Sequence, residues 1–298
     1  MRSLMERRIE RLIMNGVRLS CAGGRALLEK DGRFIDIAER SGGRFAADPM
    51  AVLAQWDAFS DWAREQKPNG SEATINESAL GVCVPRPRSV FGIGVNYRDH
   101  IEEAGMDAPT SPMVFTKFPS CLASPTAEIP LTSNRVDWEA ELVVVIGQGG
   151  HRITAEQAMK HVAGYCVGQD ISDRRQQFSD KPPQFSLGKS AKGFGPIGPS
   201  VVSLDSFADP HDLAISCEIN GERMQNSRTS QMLFGVPELI AYISRWCELA
   251  PGDLIFTGTP GGTGGVRDPR RYLKPGETIT TEVERIGRIR NTCVEERA

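Results

Sequence analysis

Apolar residues in the chain come in short runs closed off by glycine and proline, and few stretches repeat at helical spacing. Residues 90–95, 141–146, 161–167, 213–219, 253–257 and 278–283 read as strands. Helical periodicity is clear in 154–162 and 236–249. Nearer the start, 11–21, 25–29 and 33–37 read as strands about a turn at Asp31-Gly32. Residues 48–62 then put Met50, Val52, Leu53, Trp56, Phe59 and Trp62 at helical spacing. Strands and helices do not alternate regularly, which argues against a doubly wound parallel sheet. The pattern predicts a β-rich α+β fold with a few covering helices. Residues 1–70 read as a small α+β unit with a packing role, 71–87 as a linker, and 88–298 as the larger domain.

Composition narrows the classes. The 298 residues are 40% hydrophobic and 24% charged, with 30 Gly and 19 Pro, so the chain is globular and rich in turns. Lys plus Arg is 35 and Asp plus Glu is 38, a net charge of −3, which gives no reason to expect nucleic acid or an anionic membrane as partner. No apolar run reaches the roughly 18 residues a membrane span needs. The 7 cysteines form no Cys-x-x-Cys pair and read as reduced, buried thiols. Residues 1–11 carry charges throughout and lack an apolar core, so they do not read as a secretory signal. Together these features predict a cytoplasmic protein.

The phosphate-binding patterns fail on inspection. Gly188-Lys189-Ser190 has Pro183 where a P-loop needs its first glycine, and Gly92-Ile93-Gly94 lacks the third glycine of a dinucleotide fingerprint. The glycine-rich run from Gly258 to Gly265 has no lysine after it and reads as a turn.

The acids are more informative. In the segment 136–146, strand alternation places Asp137, Glu139 and Glu141 on one face. On an exposed edge this would be a solvated negative face, a reading that suits Asp137. Glu139 and Glu141 run into Leu142-Val-Val-Val-Ile146, which looks central, and buried like charges repel. A divalent cation would remove that penalty, and an all-oxygen donor set suits Mg²⁺ or Mn²⁺, with Ca²⁺ less suited to catalysis. Asp170, at the abrupt end of an apolar strand, is either a third ligand or a turn residue. Farther back, His100 and Glu103 stand at i and i+3 on a helical segment, either as a base with its orienting carboxylate or as a surface pair.

The segments 94–100, 136–142, 164–170, 188–190, 251–260 and 273–276, in this order and spacing, resemble the fumarylacetoacetate hydrolase family. The resemblance covers about two-thirds of the chain, from Arg88 to Cys293. It implies a mixed β-roll, commonly a homodimer, with Mg²⁺ or Mn²⁺ held by Glu139, Glu141 and Asp170. It also implies catalytic roles for His100, Glu103 and Lys189, and substrate contacts at Thr259, Gly258 and Tyr97. Two departures stand out. Lys192 occupies a position where many members have aspartate, and the run Ile171-Ser-Asp-Arg-Arg-Gln-Gln-Phe178 differs from the common one, leaving open which of Arg174 and Arg175 meets substrate.

The implied chemistry is the stabilisation of an enolate from a 2-oxo acid. The first expectation is hydrolysis of a C–C bond in a 1,3-diketo or acylpyruvate-type acid, with His100 and Glu103 activating water. The second is decarboxylation, isomerisation or hydration of an oxaloacetate-like acid. A catalytically silent metal-binding dimer is a remote third.

Overall fold

The computed structural model describes residues 16–296. A 10-stranded mixed sheet runs through the molecule. In order across it lie Arg33–Asp36, Arg25–Lys30, Arg18–Ala22, Gly195–Val202, Val162–Gln169, Ala140–Ile146, Leu254–Phe256, Val90–Gly94 and Met113–Thr116. Leu122–Ala123 pairs in parallel with Gly195–Val202, off this path. Five more strands, Glu222–Arg228, Ala214–Ile219, Thr278–Val283, Gly287–Glu295 and Glu128–Leu131, form a second sheet.

The strand Ala140–Ile146 shows why the sheet is buried on both faces. Ala140, Leu142, Val144 and Ile146 enter the core shared with the second sheet, alongside Ile215, Ile279 and Ile289. Val143 and Val145 enter a second core with Leu53, Trp56 and Phe59. A strand covered on both faces reads as an unbroken apolar run rather than an alternating one. The second core's cover is the helix pair Pro49–Leu53 and Trp56–Glu65. Asp48 caps the first helix by accepting from the Met50 N–H at 3.1 Å, with Pro49 at its first position. The single helix expected over 48–62 is thus two helices, divided at Ala54 and Gln55.

The first strands are part of the large sheet. Arg18 and Leu19 pair antiparallel with Val202 and Val201. Residues 71–87 are tied down as well, by bridges between Phe34 and Ala73 and between Ala22 and Leu80. The part of the 11–21 strand expectation before residue 16 lies outside the described residues, as does the segment 1–11.

Sequence pattern missed the strand Gly195–Val202, whose Pro196 and Pro199 argue against a central position. A register shift opposite it, between Tyr165 and Val167, absorbs the missing donors. The expected helices are shorter than their periodicity: Val236–Ser244, and Ala155–Ala158 followed by a 3-10 turn at Met159–His161. Among the described residues no helix is long and apolar enough to cross a membrane. All 7 cysteines are free, and Cys247 is exposed rather than buried.

The contact between Val162–Gln169 and Gly195–Val202 is tight enough to test. A Cβ on Gly164 would lie 2.2 Å from the Val202 carbonyl oxygen, which is backbone and cannot swing aside. Gly164→Ala is expected to destabilise the fold by roughly 1–3 kcal/mol or more. A thermal melt checks this, and an unchanged midpoint would mean the two strands are not so close.

Candidate active site

Glu139, Glu141 and Asp170 converge where Ala140–Ile146 meets Val162–Gln169. One carboxylate oxygen of each lies within 4.8 Å of the others, and all three side chains are buried. The Asp170 N–H donates to the Glu139 carbonyl at 2.9 Å, which sets the two residues side by side. Where the regular ladder lapses, buried amides take over. Gln169 Oε1 accepts from the Glu139 N–H and Gln225 Oε1 from the Ala140 N–H, both at 2.9 Å. The Gly258 N–H donates to Glu141 Oε2 at 2.8 Å. Gly258 has φ +97°, and a Cβ there would sit 2.8 Å from the Asn96 Cβ, so the position demands glycine.

Buried cations surround the acids. Lys189 Nζ donates to Glu139 Oε2 at 2.7 Å, and to Asp170 Oδ2 and Ser172 Oγ at 2.8 Å. Lys117 Nζ donates to Asp170 Oδ1 at 2.7 Å, to the Phe194 carbonyl at 3.2 Å and to the Lys189 carbonyl. Arg174 bridges Asp137 Oδ2 through Nε at 2.9 Å and Glu139 Oε1 through Nη2 at 2.6 Å. Asp137 is therefore not the solvated face the sequence suggested. It is fully buried and also accepts from the N–H groups of Gly264 at 2.8 Å and Gly265 at 2.9 Å.

The electrostatics follow these partners. Burial works to raise the Glu139 pKa, but Lys189 and Arg174 outweigh it and hold the carboxyl down to about 2. Burial, together with Asp170 and Glu139, pushes Glu141 well above the ordinary carboxylate range. Burial alone would lower Lys117, yet Asp170 turns its shift upward. Among the described residues Glu141 forms no ion pair. Its oxygens, with those of Glu139 and Asp170, are a buried all-oxygen donor set that fits a divalent ion of the Mg²⁺ or Mn²⁺ type.

A cavity of about 590 Å³ opens at Glu139, with Glu141 and Asp170 behind its lining. Glu139, Lys189, Arg174, His100 and Thr259 line it, with apolar walls from Ile93, Val95, Phe115, Phe178 and Phe185. His100 stands on the helix Arg98–Ala104. Its Nδ1 is buried without a hydrogen-bond partner. Burial lowers the imidazole pKa below 6.5 against the pull of Glu139, so the ring is a neutral base near pH 7.

Glu103 shares the helix face with His100, yet its Oε2 accepts from the Gly262 N–H at 2.6 Å rather than from the imidazole. Neither Tyr97 nor Gly258 lines the cavity. Tyr97 is fully buried in the core, and Gly258 serves Glu141 instead. Thr259 does line it, but its hydroxyl donates to the Ala140 carbonyl at 2.9 Å and accepts from Gln225 Nε2 at 2.8 Å. A hydroxyl has one proton, so this one cannot also donate to a substrate carboxylate. Arg174 faces the cavity while Arg175 is exposed. Sequence reasoning missed Lys117 and Gln225; the signal for the lysine was a lone charge directly after the strand Met113–Thr116.

Three outcomes are expected. Glu139→Gln and Asp170→Asn should weaken Mg²⁺ or Mn²⁺ binding in titration calorimetry, and unchanged affinity in both would sink the site. The depressed Glu139 carboxyl stabilises the fold above about pH 4.5, and that stability is lost as pH falls toward 2. Denaturant titrations from pH 5 downward should therefore show a flatter acid decline in Glu139→Gln than in wild type. Asp137→Asn should loosen Arg174 and the Gly264-Gly265 turn together, raising amide exchange at both glycines.

The fold and site can now be set beside known proteins. The family model for fumarylacetoacetate (FAA) hydrolase C-terminal matches residues 89–294. Oxaloacetate tautomerase FAHD2B, mitochondrial, of Bos taurus is 46% identical over 213 residues, 71% of this chain and 68% of the relative. A crystal structure of an HpcE protein from Mycobacterium smegmatis superposes with a TM-score of 0.89 at 45% identity, covering 94% of this chain and 100% of that one. Fumarylacetoacetate hydrolase from Exiguobacterium antarcticum gives 0.82 at 30% identity, with coverage of 94% and 100%. The mitochondrial naming of the relatives overturns the cytoplasmic expectation. Reduced thiols separate secreted chains from internal ones and do not identify the internal compartment. The matched model, the shared mixed-sheet fold and the sequence identity agree: the chain belongs to the fumarylacetoacetate hydrolase family.

Proposed function

We propose that the protein is a divalent-metal-dependent enzyme that interconverts the keto and enol forms of an oxaloacetate-like 2-oxo acid. The observation that carries this reading is the state of His100. It is a neutral base on the wall that also bears Glu139 and Lys189, its buried Nδ1 has no hydrogen-bond partner, and Glu103 Oε2 accepts from the Gly262 N–H rather than from the ring. Hydrolysis asks for a base oriented to activate water. Tautomerisation asks only for a group that takes a proton from carbon and returns it to oxygen. The oxaloacetate tautomerase name of the relative supports the same choice.

Glu139, Glu141 and Asp170 would hold the metal, which when bound supplies Lewis acidity toward the carboxylate and keto oxygens of a 2-oxo acid. The chain's own groups account for the proton. The His100 imidazole takes a proton from C3 of the substrate, and the C–H electron pair becomes the C2=C3 bond. The C2 carbonyl electrons move onto oxygen. Lys189 and Arg174 place fixed positive charge on the wall where that oxygen turns negative. The imidazolium then returns its proton to this oxygen, giving the enol.

A second reading, hydrolysis of an acylpyruvate, is favoured by one feature. A largely apolar cavity of about 590 Å³ has room for a tail that oxaloacetate lacks. A homodimer belongs to the same proposal, with the edge strand Met113–Thr116 as its surface, where Met113 and Val114 are exposed. Light scattering checks it.

The test follows the ultraviolet absorbance of the enol in oxaloacetate with Mg²⁺ or Mn²⁺. Acceleration should vanish with EDTA and fall ~10²–10⁴-fold in His100→Ala. The acid limb of kcat/KM should lie below pH 6.5, because activity is lost as His100 protonates. A rate equal to that of buffer and metal without protein would refute the proposal. Acylpyruvate hydrolysis outrunning tautomerisation would favour the second reading.

A further inference from the structure

The cavity wall carries more positive charge than the acids beneath it use. Glu139 is the one acidic residue among those lining it, against Arg135, Arg174, Lys189 and Arg270. Lys189 and Arg174 are nearly buried and already paired with Glu139, Asp170 and Asp137. Arg135 and Arg270 differ. Both are exposed at the mouth, and among the described residues neither pairs with an acidic side chain. The contrast is local: Arg271, next in the chain to Arg270, is paired with Glu277 at 3.0 Å.

Single solvated arginines are common on surfaces. Two on one cavity, with no acid at the same level, make a cationic rim. The rim is anchored to the floor, since the Arg174 N–H donates to the Arg135 carbonyl at 2.9 Å. Much of the remaining lining is apolar, with Val95, Met106, Phe115 and Phe178. A ligand that satisfies both zones carries an anionic head at the floor, a short carbon spacer, and a second anion at the mouth. Guanidinium suits that second group because its fork matches a carboxylate bidentately.

We infer that Arg135 and Arg270 are the specificity-determining residues that read the distal carboxylate of a 2-oxo dicarboxylate. The inference rests on the 2-oxo acid reading above. It adds which residues separate a diacid from a monoacid of equal length, a distinction that the floor residues cannot make.

The experiment measures binding and turnover separately. Titration calorimetry with Mg²⁺ compares 2-oxoglutarate with 2-oxovalerate, the same chain without the second carboxylate. Proteins are wild type, Arg135→Gln, Arg270→Gln and the double variant. Wild type should prefer the diacid, and the double variant should lose roughly 10- to 100-fold in diacid affinity with the monoacid changed much less. Arg270→Lys should recover part of the loss. A wild type without diacid preference, or a double variant that keeps it, overturns the inference. Wild-type oxaloacetate tautomerisation is measured alongside. If it is absent while the diacid preference still depends on the two arginines, the proposed reaction fails and the rim assignment stands.

Discussion

The site depends on keeping like charges together in a dry interior. Glu139, Glu141, Asp170 and Asp137 lie buried within one short stretch of sheet, and Lys117, Lys189 and Arg174 are drawn in around them. Removing one partner of a buried ion pair typically costs 3–5 kcal/mol, because the other charge is left stranded. The cluster is therefore interdependent, and its geometry is fixed more firmly than a set of surface ion pairs would be. Four acids meet three cations, and Glu141 is the acid without a cation of its own, its pKa raised by burial and then by Asp170 and Glu139. A divalent ion held by the triad would complete the balance and would leave positive charge for an anionic ligand to meet.

The same carboxylates organise the glycine-rich turn. Glu141 takes the Gly258 N–H, Glu103 takes that of Gly262, and Asp137 takes those of Gly264 and Gly265. Asp99 joins the scheme, accepting from Ser227 Oγ at 2.5 Å and from the Gly261 N–H at 3.3 Å. The turn thus reads acids through its backbone, and glycines leave room for the approach. The helix that bears His100 is moored to the turn by Asp99 and Glu103, so the position of the base and the shape of the cavity wall are coupled.

Much of this was legible in the sequence where side-chain type and period agree. The alternation of Asp137, Glu139 and Glu141 survives the break in the strand, because Arg174 holds the first two on one side. The apolar run after Glu141 announced a central strand. What could not be read depends on long-range pairing. Gly195–Val202 looks like a turn until its neighbours supply the hydrogen bonds, and the first strands look separate until Leu19 meets Val201. Lys117 lies 53 residues from Asp170, and no local spacing connects them. Helical spacing left His100 and Glu103 open between a working pair and a surface pair, and it could not show that Glu103 accepts from a backbone N–H 159 residues away.

That competition bears on how one family platform serves different reactions. On the proposed reading the carboxylates and lysines of the floor would respond to the 2-oxo acid head, which tautomerisation, decarboxylation and C–C hydrolysis share. They cannot decide among them. The choice lies with the wall: whether the imidazole is free or oriented, and what the cavity holds beyond the head. In this chain one Glu103 oxygen accepts from the Gly262 backbone, and the Thr259 hydroxyl is engaged by Ala140 and Gln225. Both side chains help to hold the protein's own loops, while the buried Nδ1 of His100 has no hydrogen-bond partner. On the reading proposed above such a wall would move one proton, which suits the simplest reaction of an enolate, its protonation on one atom or the other.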